Sequence, residues 1–282
     1  MAEIQSNTSQ ITNPSEDEKQ ARREKLAKKA GRFRILIVGR ANAGKTTILK
    51  KICNTTDDPE IYDSRGNKID TLKIEPTAKR GTHDIENEMI FRSNTGFIFH
   101  DSRGFEAGGV DELQKVQDFI LKRSKEKKLE NQIHVIWYCI AMSDSRPIVH
   151  SEEQFFSALG TGKVPVIAVF TKCEALETKA FIVLQEEHQL SSEDAFNQAP
   201  AYVKKHLQNI HLKLEKYKYP PKGHVYIQEM EKAGTDCMPL LDRTASVLDG
   251  DVLQAIFVST QQASVEMCVK YAIRYGSFSL TK

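Results

Sequence analysis

Residues Gly39 to Thr46 read Gly-Arg-Ala-Asn-Ala-Gly-Lys-Thr and follow the apolar run Phe33 to Val38. Two glycines, a lysine and a hydroxyl at this spacing, after a strand and before a helix, are what an anion-cradling loop requires. Gly39 and Gly44 let the backbone curl so that N–H groups point inward at an anion. Arg40, Ala41, Asn42 and Ala43 form the body of that loop. Lys45 can reach the β- and γ-phosphates of a nucleotide, and the hydroxyl of Thr46, with Thr47 beside it, can take one position on a phosphate-bound Mg²⁺. A helix starting near Lys45 adds its positive end to the same site. The plainer alternative is a glycine turn between a strand and a helix.

Three later segments carry matching chemistry. Asp101-Ser102-Arg103-Gly104 ends an apolar strand. There Asp101 can hold Mg²⁺ through a water, and the N–H of Gly104 can meet a γ-phosphate. Otherwise the segment is a common turn. Thr171-Lys172-Cys173-Glu174 follows the apolar run Val164 to Phe170. The Lys172 stem suits the face of a purine, and Glu174 can accept from ring and exocyclic N–H groups. The alternative is a polar end to a buried strand. Thr82, with Thr77 as the other candidate, can swing in to ligate Mg²⁺ when a γ-phosphate is present, and spacing to the next strand favours Thr82.

In this order and spacing the four segments resemble a G domain. The chain looks like the translation-factor-related class of P-loop GTPases, near the Era, septin and immune-associated (avrRpt2-induced) branches. It is similar to fungal G-domain proteins in its Ile136-Trp137-Tyr138-Cys139 strand and its segment from Gln261-Gln262 to Glu266-Met267-Cys268. The resemblance covers about Phe33 to Tyr275. It implies GTP and GDP as ligands, with Mg²⁺ on Thr46, Thr82 and Asp101, and with Lys45, Thr82 and Gly104 as the catalytic set. It also implies a main-chain N–H for guanine O6, from Met230-Glu231-Lys232 or from Ser259-Thr260. Chain order favours the first.

Two departures stand out. Phe105 occupies the position where Ras-like enzymes place a water-orienting glutamine, which predicts slow intrinsic hydrolysis. Glu174 stands where the family has an aspartate. Asn42 is also notable, because Era-like enzymes with asparagine there can hold K⁺. The output expected is a switch that binds a protein effector. Alternatives are a nucleotide-dependent assembly with a homodimer across the nucleotide face, an ATP-dependent enzyme, and an RNA factor using the basic tail Lys19 to Arg34.

Elements must position these groups. The expected fold class is α/β: a P-loop NTPase G domain with a mostly parallel six-stranded sheet flanked by helices and an added C-terminal strand and helix. Residues 1–30 read as a charged tail, 31–250 as the G domain with a helical insertion at about 175–221, and 251–282 as a C-terminal extension packed on it. Strands are expected at 33–38, 85–92, 96–100, 133–142, 164–170, 224–228 and 253–259. Residues 54–84 read as one long loop. Helices are expected after the phosphate loop, at 111–128, 151–159, from 175, at 201–217, 235–248 and 263–275. A polar break is expected at 190–198.

Composition sets outer limits. The chain has 282 residues, 40 basic and 38 acidic, for a formal charge of +2, so whole-chain charge gives no argument for nucleic acid. Cys53, Cys139, Cys173, Cys237 and Cys268 are scattered, which reads as reduced thiols in a cytoplasmic protein. No apolar run approaches the ~18 residues of a transmembrane segment. No secretory signal or lipidation box is legible.

Overall fold

Phe33, Ile35 and Ile37 face one side of the sheet, Leu36 and Val38 the other, and all five are fully buried. A strand apolar on both faces needs a layer of helices on each side. The computed structural model supplies that sandwich and describes residues 31–69, 84–102, 110–232, 234–235 and 237–260. Thr77, Thr82, Arg103, Gly104, Phe105, the tail at 1–30 and the helix expected at 263–275 lie outside the described residues.

The elements run β1 (Phe33–Gly39), α1 (Lys45–Ile52), β2 (Glu60–Tyr62), β3 (Lys68–Ile69), β4 (Glu88–Phe91), β5 (Asn94–Asp101) and α2 (Val110–Ser124). There follow β6 (Val135–Ala141), α3 (His150–Ala158), β7 (Val166–Thr171), α4 (Ala175–Glu186), α5 (Ser192–Glu215), β8 (Gly223–Tyr226), α6 (Met238–Val247) and α7 (Asp251–Thr260). The described sheet has eight strands in the order β3-β2-β4-β5-β1-β6-β7-β8. From β5 to β8 every pairing is parallel, and β4 joins β5 antiparallel. One face packs against α1, α6 and α7, the other against α2, α3, α4 and α5.

Three expectations are corrected. The segment expected as one loop contains β2 and β3, a small hairpin that extends the antiparallel edge to β4. Its strands are too short and too polar to show an alternating pattern, and with them the sheet has eight strands where six were expected. The strand expected at 253–259 is the helix α7. Ile256 and Phe257 are three and four residues after Leu253, so helical spacing gathers them on one face. Phe257 lands 4.8 Å from the Phe33 ring and 6.1 Å from Phe97. A short apolar run fits either period, and here the open face of the sheet decided it. The polar break expected at 190–198 is the first turns of α5. The Ser191 hydroxyl accepts from the N–H of Asp194 at 3.1 Å, and Glu193 and Asp194 complement the helix dipole. Ala195 and Ala199 give that helix its buried face, and it continues through Pro200.

Two buried polar groups of the core are matched across elements. The Trp137 indole N–H donates to the Thr244 hydroxyl at 3.1 Å, which donates to the Leu240 carbonyl at 2.7 Å. The Arg34 main-chain N–H donates to His134 Nδ1 at 3.0 Å, which places the imidazole proton on Nε2, facing the Leu129 carbonyl at 2.8 Å. Cys53, Cys139, Cys173 and Cys237 are free thiols and buried, and Cys268 lies outside the described residues. No described helix is long and apolar enough to cross a membrane.

Candidate nucleotide site

Because β5, β1, β6, β7 and β8 are parallel, the loops leaving their carboxyl ends share one edge. That edge is where ligands gather on open α/β sheets. It brings together Gly39–Thr47, Asp101, residues 142–149, Thr171–Glu174 and residues 227–232.

The phosphate loop has the curled backbone its glycines suggest. Gly39 has φ 146°, and a Cβ added there would meet the Cys139 carbonyl oxygen at 2.4 Å, because Gly39 sits opposite Cys139 in the β1–β6 register. Gly44, at φ 79°, turns the chain into α1. The Ala43 N–H closes a turn onto the Arg40 carbonyl at 3.2 Å. Ala41, Asn42, Thr46 and Thr47 are exposed, and Asn42 takes the left-handed conformation at φ 60°. Lys45 is buried. Its ammonium donates to the carbonyls of Gly39 at 2.9 Å and Arg40 at 3.1 Å, and lies 3.9 Å from Asp101 Oδ1.

Asp101 ends β5, paired with Ile37 of β1. Burial pushes its carboxyl up to about 6, with the Lys45 charge pulling the other way. Its Oδ1 is sealed from solvent and has no hydrogen-bond partner among the described residues. A buried acidic oxygen without a donor, on the same edge as the exposed hydroxyl of Thr46, fits a hard cation carried on phosphates. Those two residues would hold Mg²⁺.

Arg40 turns away from the loop it belongs to. It forms ion pairs with Asp144 Oδ2 at 3.1 Å and with the fully buried Glu152 at 3.2 Å, and it donates to the Pro147 carbonyl at 2.8 Å. Glu152 in turn accepts from the Val149 N–H at 3.0 Å. From the other side, the Lys179 ammonium of α4 donates to the carbonyls of Met142, Ser143 and Asp144 at 2.8–3.0 Å. The loop after β6 is therefore gripped by one cation from the phosphate loop and one from the helix after Glu174. The Arg40 guanidinium thus positions this loop, while its main chain stays part of the phosphate loop.

Thr171 likewise acts between loops: its buried hydroxyl donates to the Ala43 carbonyl at 3.0 Å. Lys172 and Glu174 are half-buried, and Lys172 is left-handed at φ 56°. Glu174 Oε2 accepts from the Glu229 main-chain N–H at 2.9 Å. Met230 is buried in the core, so only its backbone can face a ligand, while Glu231 is exposed. Ser259-Thr260, the other candidate for guanine O6, lies at the wrong end of the sheet. The Thr260 carbonyl accepts from Asn94, at the start of β5, whereas Asp101 ends that strand.

Sequence reasoning missed Lys179, Glu152 and Glu229. No local pattern distinguishes a helix lysine that reaches three carbonyls of a distant loop, and the part of Glu229 that matters is its backbone. Only Glu152 left a trace, an acid in the first turn of a helix three residues after Val149.

Residues 34–172 match the family model described as 50S ribosome-binding GTPase. No curated protein matches the chain. The matched stretch runs from β1 through Lys172 and includes the phosphate loop and Asp101. Glu174 and the loop after β8 lie beyond it. With the mostly parallel sheet and its flanking helices, the match gives the chain a P-loop NTPase fold of the G-domain type.

Proposed function

We propose that this protein is a guanine-nucleotide switch that binds GTP and GDP with Mg²⁺, hydrolyses GTP slowly and passes its nucleotide state to a protein partner. The observation that carries this reading is the Thr171–Ala43 hydrogen bond. It fastens the end of β7, where Lys172 and Glu174 stand, onto the phosphate loop, so one edge serves both the base and the phosphates of one nucleotide.

In this reading Lys45 offers its ammonium to the β- and γ-phosphates, and the exposed start of α1 offers backbone N–H groups. Thr46 and Asp101 would hold Mg²⁺, which supplies neutralising charge to the phosphates when bound. Thr82 and Gly104 take their parts from the sequence alone: Thr82 on the metal, Gly104 on the γ-phosphate. Phe105 offers no polar group to orient a water, hence the slow rate. Asn42, exposed in the loop, is the candidate ligand for K⁺.

Titrating fluorescent GTP, GDP and ATP analogues in the presence of Mg²⁺ tests the reading. GTP and GDP are expected to bind and ATP to compete at least about a hundredfold less well. ATP competing as well as GTP would sink it. Turnover in K⁺ against Na⁺ tests Asn42, and equal rates would remove K⁺ from the account.

A further inference from the structure

The acid that ends the Thr171–Glu174 segment is already engaged. Glu174 Oε2 accepts from the Glu229 N–H at 2.9 Å. That donor sits in a loop built to stay where it is. Glu229 is left-handed at φ 52°, and its carbonyl accepts from the Lys232 N–H and the Thr235 hydroxyl, both at 2.9 Å. The Glu229 carboxylate pairs with the Lys232 ammonium at 2.5 Å, and the Lys232 carbonyl accepts from Lys51 of α1 at 2.7 Å. The base of the loop is fixed as well. The Ile227 N–H donates to the Phe170 carbonyl at 2.7 Å, and the Cys173 N–H to the Ile227 carbonyl at 3.2 Å.

Guanine presents its ring N1–H and its 2-amino group side by side. A carboxylate reads both only when its two oxygens face the base together as a fork. Each carboxylate oxygen has two lone pairs, but Oε2 spends one on a main-chain donor whose direction the loop fixes, so Oε1 is the oxygen free to align with the base and the second arm of the fork is weakened.

We infer that Glu174 reads the ring N1–H chiefly, through Oε1, and gains little from the 2-amino group, so the site accepts 6-oxopurine nucleotides as a class, hypoxanthine as well as guanine. The inference rests on the guanine-nucleotide reading above. Adenine stays excluded, because its N1 is a lone pair that would face the carboxylate. Its 6-amino group would also face main-chain N–H groups of the loop after β8. The extra methylene of glutamate over aspartate is what lets the acid reach Glu229. An aspartate, one methylene shorter, is expected to lose that bond and to leave both oxygens unengaged by the loop.

The test is competition of GDP, IDP and ADP against a fluorescent guanine nucleotide on the full chain with Mg²⁺, repeated with Glu174→Asp. IDP is expected within about tenfold of GDP, and ADP at least about a hundredfold weaker. In Glu174→Asp the GDP-to-IDP ratio should rise by about tenfold or more. Wild-type IDP more than about tenfold weaker than GDP overturns the inference while leaving a guanine site in place. ADP binding as well as GDP overturns base reading altogether, and absence of binding by the guanine probe itself overturns the reading on which the inference rests. The wild-type comparison stands even if the variant fails to fold.

Discussion

Thr171 at the end of β7 and Ala43 in the phosphate loop, 128 residues apart in sequence, are joined by a buried hydrogen bond of 3.0 Å from hydroxyl to carbonyl. The bond sets the spacing between two loops that come from different strands. Thr171→Val keeps the shape and leaves the Ala43 carbonyl without its donor. The expected cost to the fold is about 1–2 kcal/mol. Nucleotide dissociation should accelerate by about tenfold, because the loops lose their tie. Thr171→Ser, which keeps the hydroxyl, should restore both. Thermal unfolding and stopped-flow release of a fluorescent nucleotide measure the two effects. An unchanged release rate in the valine variant would mean that the bond serves only the fold.

Arg40 and Glu152 make a second prediction. Glu152 is fully buried, and Arg40 is the cation beside it at 3.2 Å. Arg40→Ala leaves a buried carboxylate without its charge partner, with a loss of about 3 kcal/mol or more. The double variant Arg40→Ala/Glu152→Gln should recover a substantial part of that loss, because no buried charge remains. Denaturant unfolding of the four proteins of the cycle gives the coupling, and additive losses would refute it.

Much of the fold was legible because its central strands are apolar on both faces. Ile133–Met142 and Val164–Phe170 read as buried strands, and they appear as β6, trimmed at both ends, and β7, which starts two residues later and runs one residue further. The curled backbone at Gly39–Thr46 was legible because both glycines fill positions with positive φ. Leu253–Thr260 was not, since a run that short satisfies either period and only the exposed face of the sheet over Phe33 and Phe97 selects the helix. β2 and β3 pair through backbone more than through side chains, so their residues gave little signal. Within the site, side chains aimed at ligands were readable and those aimed at other loops were not. The directions of the Arg40 and Thr171 side chains were not legible, because position in the loop says nothing about which way a side chain turns. The Glu229 N–H belongs to no residue type at all.

Asp101 gives a pH dependence. Burial raises its carboxyl to about 6, so it is neutral below that value and charged above it. A neutral acid does not hold Mg²⁺, so Mg²⁺-dependent nucleotide affinity should fall as pH drops through about 6. The sign for the ligand-free fold is opposite. Stability from a raised carboxyl is fully present below the ordinary value of 3.8 and is lost as pH rises through about 6. Asp101→Asn should therefore flatten both profiles: weak Mg²⁺ dependence at every pH, and no loss of stability towards neutrality from this group. Calorimetric titration at pH 5.5 and 7.5 with Mg²⁺ or EDTA checks the first, thermal unfolding without nucleotide the second.

His134 works the other way. Burial is the main cause that pushes it down to about 4, and its neutral form is matched on both nitrogens, by the Arg34 N–H and the Leu129 carbonyl. Its share of stability is fully present above the ordinary value of 6.5 and is lost as pH falls towards about 4. Between those limits the loss is on the order of 3 kcal/mol. His134→Gln does not titrate and should remove that part of the acid sensitivity while lowering stability at neutral pH. Urea midpoints from pH 7 to pH 4.5 for both proteins decide it. Parallel profiles would show that the acid response comes from other groups, with buried His100 the next to test.

The two glycines of the phosphate loop should fail differently when replaced. At Gly39 a methyl group would sit 2.4 Å from the Cys139 carbonyl oxygen, a backbone atom held in the β1–β6 register, and φ is 146°. Nothing there can give way without parting the two central strands, so Gly39→Ala is expected to cost more than about 4 kcal/mol and to abolish cooperative unfolding. At Gly44 the same methyl group would meet the Thr171 side chain at 3.7 Å, an ordinary contact, and the penalty is the left-handed backbone at φ 79°. That amounts to about 1–2 kcal/mol, a drop in midpoint of a few degrees. Gly44→Ala should therefore fold, and with Thr171→Val added the losses should not simply sum, because the new methyl lies against the altered side chain. Circular dichroism melts of the three proteins separate these outcomes. A well-folded Gly39→Ala would contradict the close approach of β1 to Cys139.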